Sequence, residues 1–254
     1  MSGGFLEICV DSLASARAAI AGGADRLELC CALSVGGLTP YEELLRQIRT
    51  ESSIPIRCLM RPRGGDFLYT PEEIRMMAAQ ILALRQSGAD GFVIGCLDRN
   101  GNLDRGAMAP LLRAAEGCGL TLHRCIDVSC DVLQTYRDAA ELDFDTVLTS
   151  GGSANCLAGQ ETIGQLLRLK SQIGGLEVLI GAGVNAEVIL QLRQRYAEAR
   201  AFHASCKAEK ESTMIFRRQG VPMGLPGLDE WHIQQTDEAA VRRAKTAVCQ
   251  VLAK

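Results

Sequence analysis

The chain has 254 residues, 47% of them hydrophobic, which suits one large α/β domain with a substantial core or two small domains. A formal net charge of −3 argues against a general nucleic-acid binder, and 4% aromatic content leaves no base-stacking platform. No stretch has the length and apolarity of a membrane span, and Met1-Ser2-Gly3-Gly4 leads into a strand without the basic and apolar regions of a signal peptide.

The first strand carries Leu6-Glu7-Ile8-Cys9, and the second carries the near-copy Leu27-Glu28-Leu29-Cys30. Side chains two apart share a strand face. Glu7 and Cys9 therefore oppose Leu6 and Ile8, while Glu28 and Cys30 oppose Leu27 and Leu29. The segment from Asp11 to Gly22 is helix-length, so the opening reads as a βαβ unit with parallel strands. Cys30-Cys31 ends the second strand. A loop from Ala32 to Thr39 follows, and Pro40 suits the first turn of a helix running to about Thr50.

Ile54 to Met60 is predicted as the third strand. It delivers Arg61-Pro62-Arg63-Gly64-Gly65-Asp66-Phe67-Leu68-Tyr69, a loop too charged and glycine-rich to be a mere spacer. Thr70-Pro71-Glu72-Glu73 opens a capped helix that ends near Ser87-Gly88. Gly91 to Gly95 is the fourth strand, and Asp104 starts a helix ending around Gly117. Leu120 to Arg124 is the fifth strand, and its helix covers Asp131 to Glu141. Asp145 to Leu148 is the sixth, ending in Thr149-Ser150-Gly151-Gly152 before a helix over Glu161 to Gln172. Glu177 to Ile180 is the seventh, leading to Gly181-Ala182-Gly183, with Asn185 capping the next helix. Ala199 to His203 is the eighth. Lys207 to Gln235 reads as a long irregular loop with Pro222, Pro226 and three glycines, and Thr236-Asp237 caps a last helix to the chain end. Eight strands alternating with eight helices predict a single-domain (β/α)₈ TIM barrel over 1–254, ahead of a doubly wound open sheet.

Ligands bind barrels at the C-terminal ends of the strands. Polar groups collect there: Glu7, Cys9, Glu28, Cys30, Arg61, His123, Arg124, Asp127, Ser150, His203 and Ser205. Glu7 and Glu28 would orient a cation or a substrate hydroxyl or act as a general base; alternatively they neutralise Arg61 and Arg124. His123, Asp127 and His203 complete the acid–base candidates, and His232 stays unassigned. Ser150-Gly151-Gly152 and Gly181-Ala182-Gly183 either bring backbone N–H groups to an anion, with Arg61, Arg63 and Arg124 adding charge, or only make tight turns. Eleven cysteines without C-x-x-C spacing read as reduced thiols of a cytoplasmic protein. Cys9 and Cys30, at matching heights on neighbouring strands, would suit a soft ion such as Cu(I), or simply pack as small apolar groups.

The chain resembles the CutC family of cytoplasmic copper-homeostasis proteins. The resemblance rests on Leu6-Glu7-Ile8-Cys9, the run from Gly23 to Cys30, Gly36-Gly37-Leu38-Thr39-Pro40 and the specific Arg61–Tyr69 loop. It continues through His123-Arg124, Asp127, Leu148-Thr149-Ser150-Gly151, Gly181-Ala182-Gly183-Val184, His203 with Ser205, and Met214-Ile215-Phe216-Arg217. It implies a TIM barrel, a homo-oligomer and a Cu(I) site at Cys9 and Cys30. Cys125-Ile126 departs from the family's usual Ala-Phe, and Cys31, Cys58 and Cys206 are additional thiols. Two functions are expected. One is copper homeostasis through Cu(I) held by Cys9 and Cys30. The alternative is an enzyme acting on a small anionic or phosphorylated substrate held by Arg61, Arg124, Ser150, Gly151, Gly181 and Gly183.

Overall fold

The computed structural model describes residues 4–174, 176–221, 223–224 and 229–251. Eight parallel strands form a closed barrel: β1 (Phe5–Val10), β2 (Arg26–Leu29), β3 (Ile56–Leu59), β4 (Gly91–Ile94), β5 (Gly119–Leu122), β6 (Thr146–Thr149), β7 (Glu177–Ile180) and β8 (Ala201–Ala204). The helices are α1 (Leu13–Gly22), α2 (Glu42–Glu51), α3 (Pro71–Gln86), α4 (Arg105–Ala114), α5 (Val132–Glu141), α6 (Gln160–Ile173), α7 (Ala186–Arg195) and α8 (Glu238–Cys249). The pairing of β1 with β8 closes the ring and excludes the open sheet. None of the described helices is long and apolar enough to cross a membrane.

Helix starts follow their caps. Ser12, Asp104, Asp131, Asn185 and Asp237 each accept an early helical N–H, and Thr70 with Glu73 forms a reciprocal capping box ahead of Pro71. Strand ends are less legible. The third strand spans Ile56–Leu59 rather than Ile54 to Met60, and the eighth is displaced to Ala201–Ala204. The stretch read as irregular contains an antiparallel hairpin of β9 (Lys207–Glu211) and β10 (His232–Thr236). Its strands are almost wholly exposed and polar, so no apolar alternation announces them. Pro222, Pro226, Met1 to Gly3 and the last three residues lie outside the described residues.

Alternation assigns the two faces of each strand. Leu6, Ile8, Leu27 and Leu29 join the large core between barrel and helices. Inside the barrel, Cys30 packs with Leu59 and Val93, and Leu148 with Leu179 and Ala201. Near the N-terminal end, Arg57 fills the lumen. It donates to Thr121 Oγ1 at 2.6 Å, Thr146 Oγ1 at 3.2 Å and Asp145 Oδ2 at 2.8 Å. A Cβ on Gly119 would lie 2.4 Å from its Nη2, so β5 begins with glycine to make room.

Candidate functional site

Strand register builds the site. Glu7 on β1 is level with Arg26 on β2 and His203 on β8. All three point into the lumen. Glu7, fully buried, accepts from Arg26 Nε on one side and from His203 Nδ1 at 2.8 Å on the other. Burial alone would raise its pKa, but Arg26 and His203 outweigh it and hold the carboxyl at about 2. One step up, Cys9 is level with Glu28. Cys9 Sγ, Glu28 and His203 offer ligand atoms within 4.8 Å of one another. Burial pushes Glu28 up to about 7, aided by the charge of Glu7 and opposed by His203 and Arg26. Burial also works against a charged His203, yet Cys9, Glu28 and Glu7 hold its pKa well above the usual histidine value.

Cys9, Glu28 and His203 form one wall of a cavity of about 440 Å³ at the C-terminal mouth of the barrel. Arg61, Phe67 and His123 form the facing wall. Arg61 Nη1 donates to the carbonyls of Val35 and Gly37 at 2.8 and 3.0 Å, and its Nη2 donates to Gly65 at 3.0 Å. The guanidinium thus ties the β2–α2 loop to the β3–α3 loop, and Phe67 lies 5.3 Å below it. The Phe67 ring also packs on His123, centroids 4.7 Å apart. The Cys125 N–H donates to His123 Nδ1 at 3.2 Å, which places the ring proton on Nε2. Burial, reinforced by the Arg61 charge, lowers the His123 pKa to about 3, so the ring is neutral.

Several expectations change. Glu7 and Glu28 do not neutralise Arg61 and Arg124, because the register turns them toward Arg26 and His203. Arg124 pairs with Asp127 at 2.7 Å and donates to Ser150 Oγ at 2.9 Å. Asp127 is no free acid or base. Its carboxylate also accepts from Thr149 Oγ1, Ser150 N and Oγ, and Gly152 N. The loop after β6 therefore spends its N–H groups internally: Ser150 and Gly152 on Asp127, Gly151 on Thr149 Oγ1. The Gly181 N–H donates to Thr149 O at 2.9 Å. Gly151 is needed for a tight turn, with φ +75° and a Cβ position 2.3 Å from Gly159 O. Gly183, with φ +77°, does border the cavity. Arg63 braces its own loop through Glu73 and Asp66. His232 pairs with Asp229 on the exposed hairpin.

Cys9 and Cys30 are not at matching heights. Cys30 lies two residues above the level of Cys9, and its Sγ is directed at Val10 O, 3.5 Å away. It falls outside the Cys9–Glu28–His203 group. Burial, with Cys9 and Glu28 adding, pushes its pKa well above the usual thiol value. Arg26 and Arg57 were not singled out in the sequence. The alternation Arg26-Leu27-Glu28-Leu29-Cys30 carries the signal for the first, since Arg26 shares the face of Glu28.

The CutC family profile matches residues 5–208. The chain belongs to the CutC family. A CutC family protein of Pasteurella multocida is 37% identical over 243 residues, covering 96% of this chain and 98% of the relative. The human relative, named copper homeostasis protein cutC homolog, is 36% identical over 242 residues, covering 95% and 88%. A CutC crystal structure from Streptococcus agalactiae superposes with a TM-score of 0.74 at 28% identity, covering 80% of this chain and 98% of that one. The barrel, the alternating helices and the CutC assignment thus agree with the resemblance read from the Arg61–Tyr69 loop and the two Leu-Glu-x-Cys strands.

Proposed function

We propose that this CutC-family chain takes part in copper homeostasis by binding Cu(I) at Cys9 and His203, with Glu28 completing the donor set. The carrying observation is the convergence of one sulfur, one imidazole nitrogen and one carboxylate oxygen within 4.8 Å. Thiolate and imidazole suit Cu(I). Glu7 supports the reading further. It accepts the Nδ1–H of His203 and leaves Nε2 for the ion, the usual outer partner of a metal-binding histidine. Copper bound this way would belong in the reducing cytoplasm, in keeping with eleven cysteines that are all free. We also propose a homo-oligomer, supported by the exposed Met214, Ile215, Phe216 and Met223.

An anaerobic Cu(I) titration against a chelator tests the ligand set. Cys9→Ser and His203→Ala should each weaken binding by roughly a hundredfold, and Glu7→Gln by roughly tenfold. Cys30→Ser should bind like the wild type; its loss of copper would restore the Cys9–Cys30 pair that the resemblance implies. Binding indifferent to Cys9 and His203 would overturn the copper reading.

A second reading, an enzyme for a small anionic substrate, is favoured by the cavity volume of about 440 Å³, far more than one ion needs. Mass spectrometry of a metabolite mixture should then show a compound consumed by the wild type and not by Glu28→Gln. A mixture unchanged by the wild type would overturn it.

A further inference from the structure

On the wall facing Cys9 and His203, two buried donors have no partner among the described residues. Arg61 Nε and His123 Nε2 are both buried, and no acceptor of the described residues reaches either. Both residues border the cavity, and both pack on the Phe67 ring. A buried N–H without an acceptor costs about 1–3 kcal/mol, so a pair of them on residues that border one cavity points to a place for a ligand. The charge points the same way. Among the described residues no carboxylate pairs with Arg61, whose other nitrogens hold only carbonyl oxygens. Its positive charge is left for whatever enters.

We propose that Arg61 Nε–H and His123 Nε2–H form a subsite for the carboxylate group of a small organic acid, one oxygen on each donor. A phosphate fits less well. It calls for more donors, and four of the backbone N–H groups after β6 and β7 are already taken: Ser150 and Gly152 on Asp127, Gly151 on Thr149, Gly181 on the Thr149 carbonyl. Arg124 adds no net charge, because Asp127 offsets it. One guanidinium charge and two N–H groups match a single carboxylate. The fixed tautomer of His123 adds selectivity. Nε2 carries the proton whatever binds, so the subsite takes an acceptor and rejects a donor such as an amide NH₂. From this anchor the body of the acid extends toward Glu28 and His203. The subsite deepens the second reading, since it names the acid group by which a small substrate would be held, but it requires no reaction.

The test uses acetate, the bare carboxylate, with protein labelled with ¹⁵N at histidine. Only three histidines exist, so the His123 ring signals are assignable. Acetate should move the His123 Nε2–H resonance saturably in the millimolar range expected of so small a ligand, while acetamide and inorganic phosphate at the same ionic strength leave it in place. Arg61→Lys keeps the charge but lacks the Nε–H, and should weaken acetate roughly tenfold. If that variant does not fold, the wild-type titration alone decides. A His123 signal indifferent to acetate, or moved equally by acetamide or phosphate, overturns the subsite. That failure is distinct from failure of the enzyme reading, which the metabolite mixture tests separately.

Discussion

His123 is kept neutral by burial and by the charge of Arg61, with a pKa near 3 against an ordinary value of 6.5. In the unfolded chain the same ring takes up its proton near 6.5. Between those two values the unfolded state binds more protons, so stability falls as pH falls, by about 1.4 kcal/mol per pH unit. The penalty is absent above pH 6.5 and reaches about 2 kcal/mol at pH 5. His123→Asn keeps an acceptor for the Cys125 N–H and removes the titration. Urea unfolding at pH 7.5 and pH 5 should therefore show the wild type losing about 2 kcal/mol more than the variant over that interval. Equal losses would place the proton elsewhere. The Arg26–Glu7 pair gives a second prediction. Arg26→Met leaves the fully buried Glu7 with His203 alone and should destabilise the fold by about 3 kcal/mol, part of which Glu7→Gln in the same chain restores. At this scale the sequence was half legible. The two-residue period told which side of each strand Glu7, Cys9, Glu28 and Cys30 occupy. It could not tell who stands beside them, because lateral neighbours depend on register between strands. Hence Arg26 is not legible as the partner of Glu7, and the equal heights expected of Cys9 and Cys30 do not hold in the register.

The elements follow from local chemistry. The helix starts at Thr70, Asp104, Asp131, Asn185 and Asp237 are readable one by one, and each of these residues caps its helix, whereas α2 begins at Glu42, past the Pro40 expected in its first turn. Strand glycines are not readable in this way, since their cause is a side chain far away in sequence. Gly119→Ala should cost about 1–3 kcal/mol, because its Cβ meets an Arg57 guanidinium pinned by Thr121, Thr146 and Asp145. Gly64→Ala, which meets nothing within 4 Å, should leave the midpoint of urea unfolding unchanged. The loop after β6 depends on one carboxylate. Asp127→Ala strands the N–H groups of Ser150 and Gly152 and the charge of Arg124, and should lose about 3 kcal/mol in the same assay. The β9–β10 hairpin escaped notice because a strand pair with both faces in water has no apolar period to display.

At the scale of the whole molecule, eight repeats of strand and helix specify a barrel, and β1 on β8 completes it. Light scattering should give a mass at least twice that of one chain, and Ile215→Asp, at a side chain 98% exposed, should return it to that of a monomer. A monomeric wild type would remove the case for assembly through this segment. The same closure has a bearing on biosynthesis. Glu7 and Cys9 are synthesised well before His203, the ring that Glu7 orients, which follows Glu7 by 196 residues. His203 joins Cys9 and Glu28 only when β8 pairs with β1, so under the proposed copper reading an incomplete chain would lack the full donor set. Uptake of Cu(I) would then report that the last strand has docked against the first.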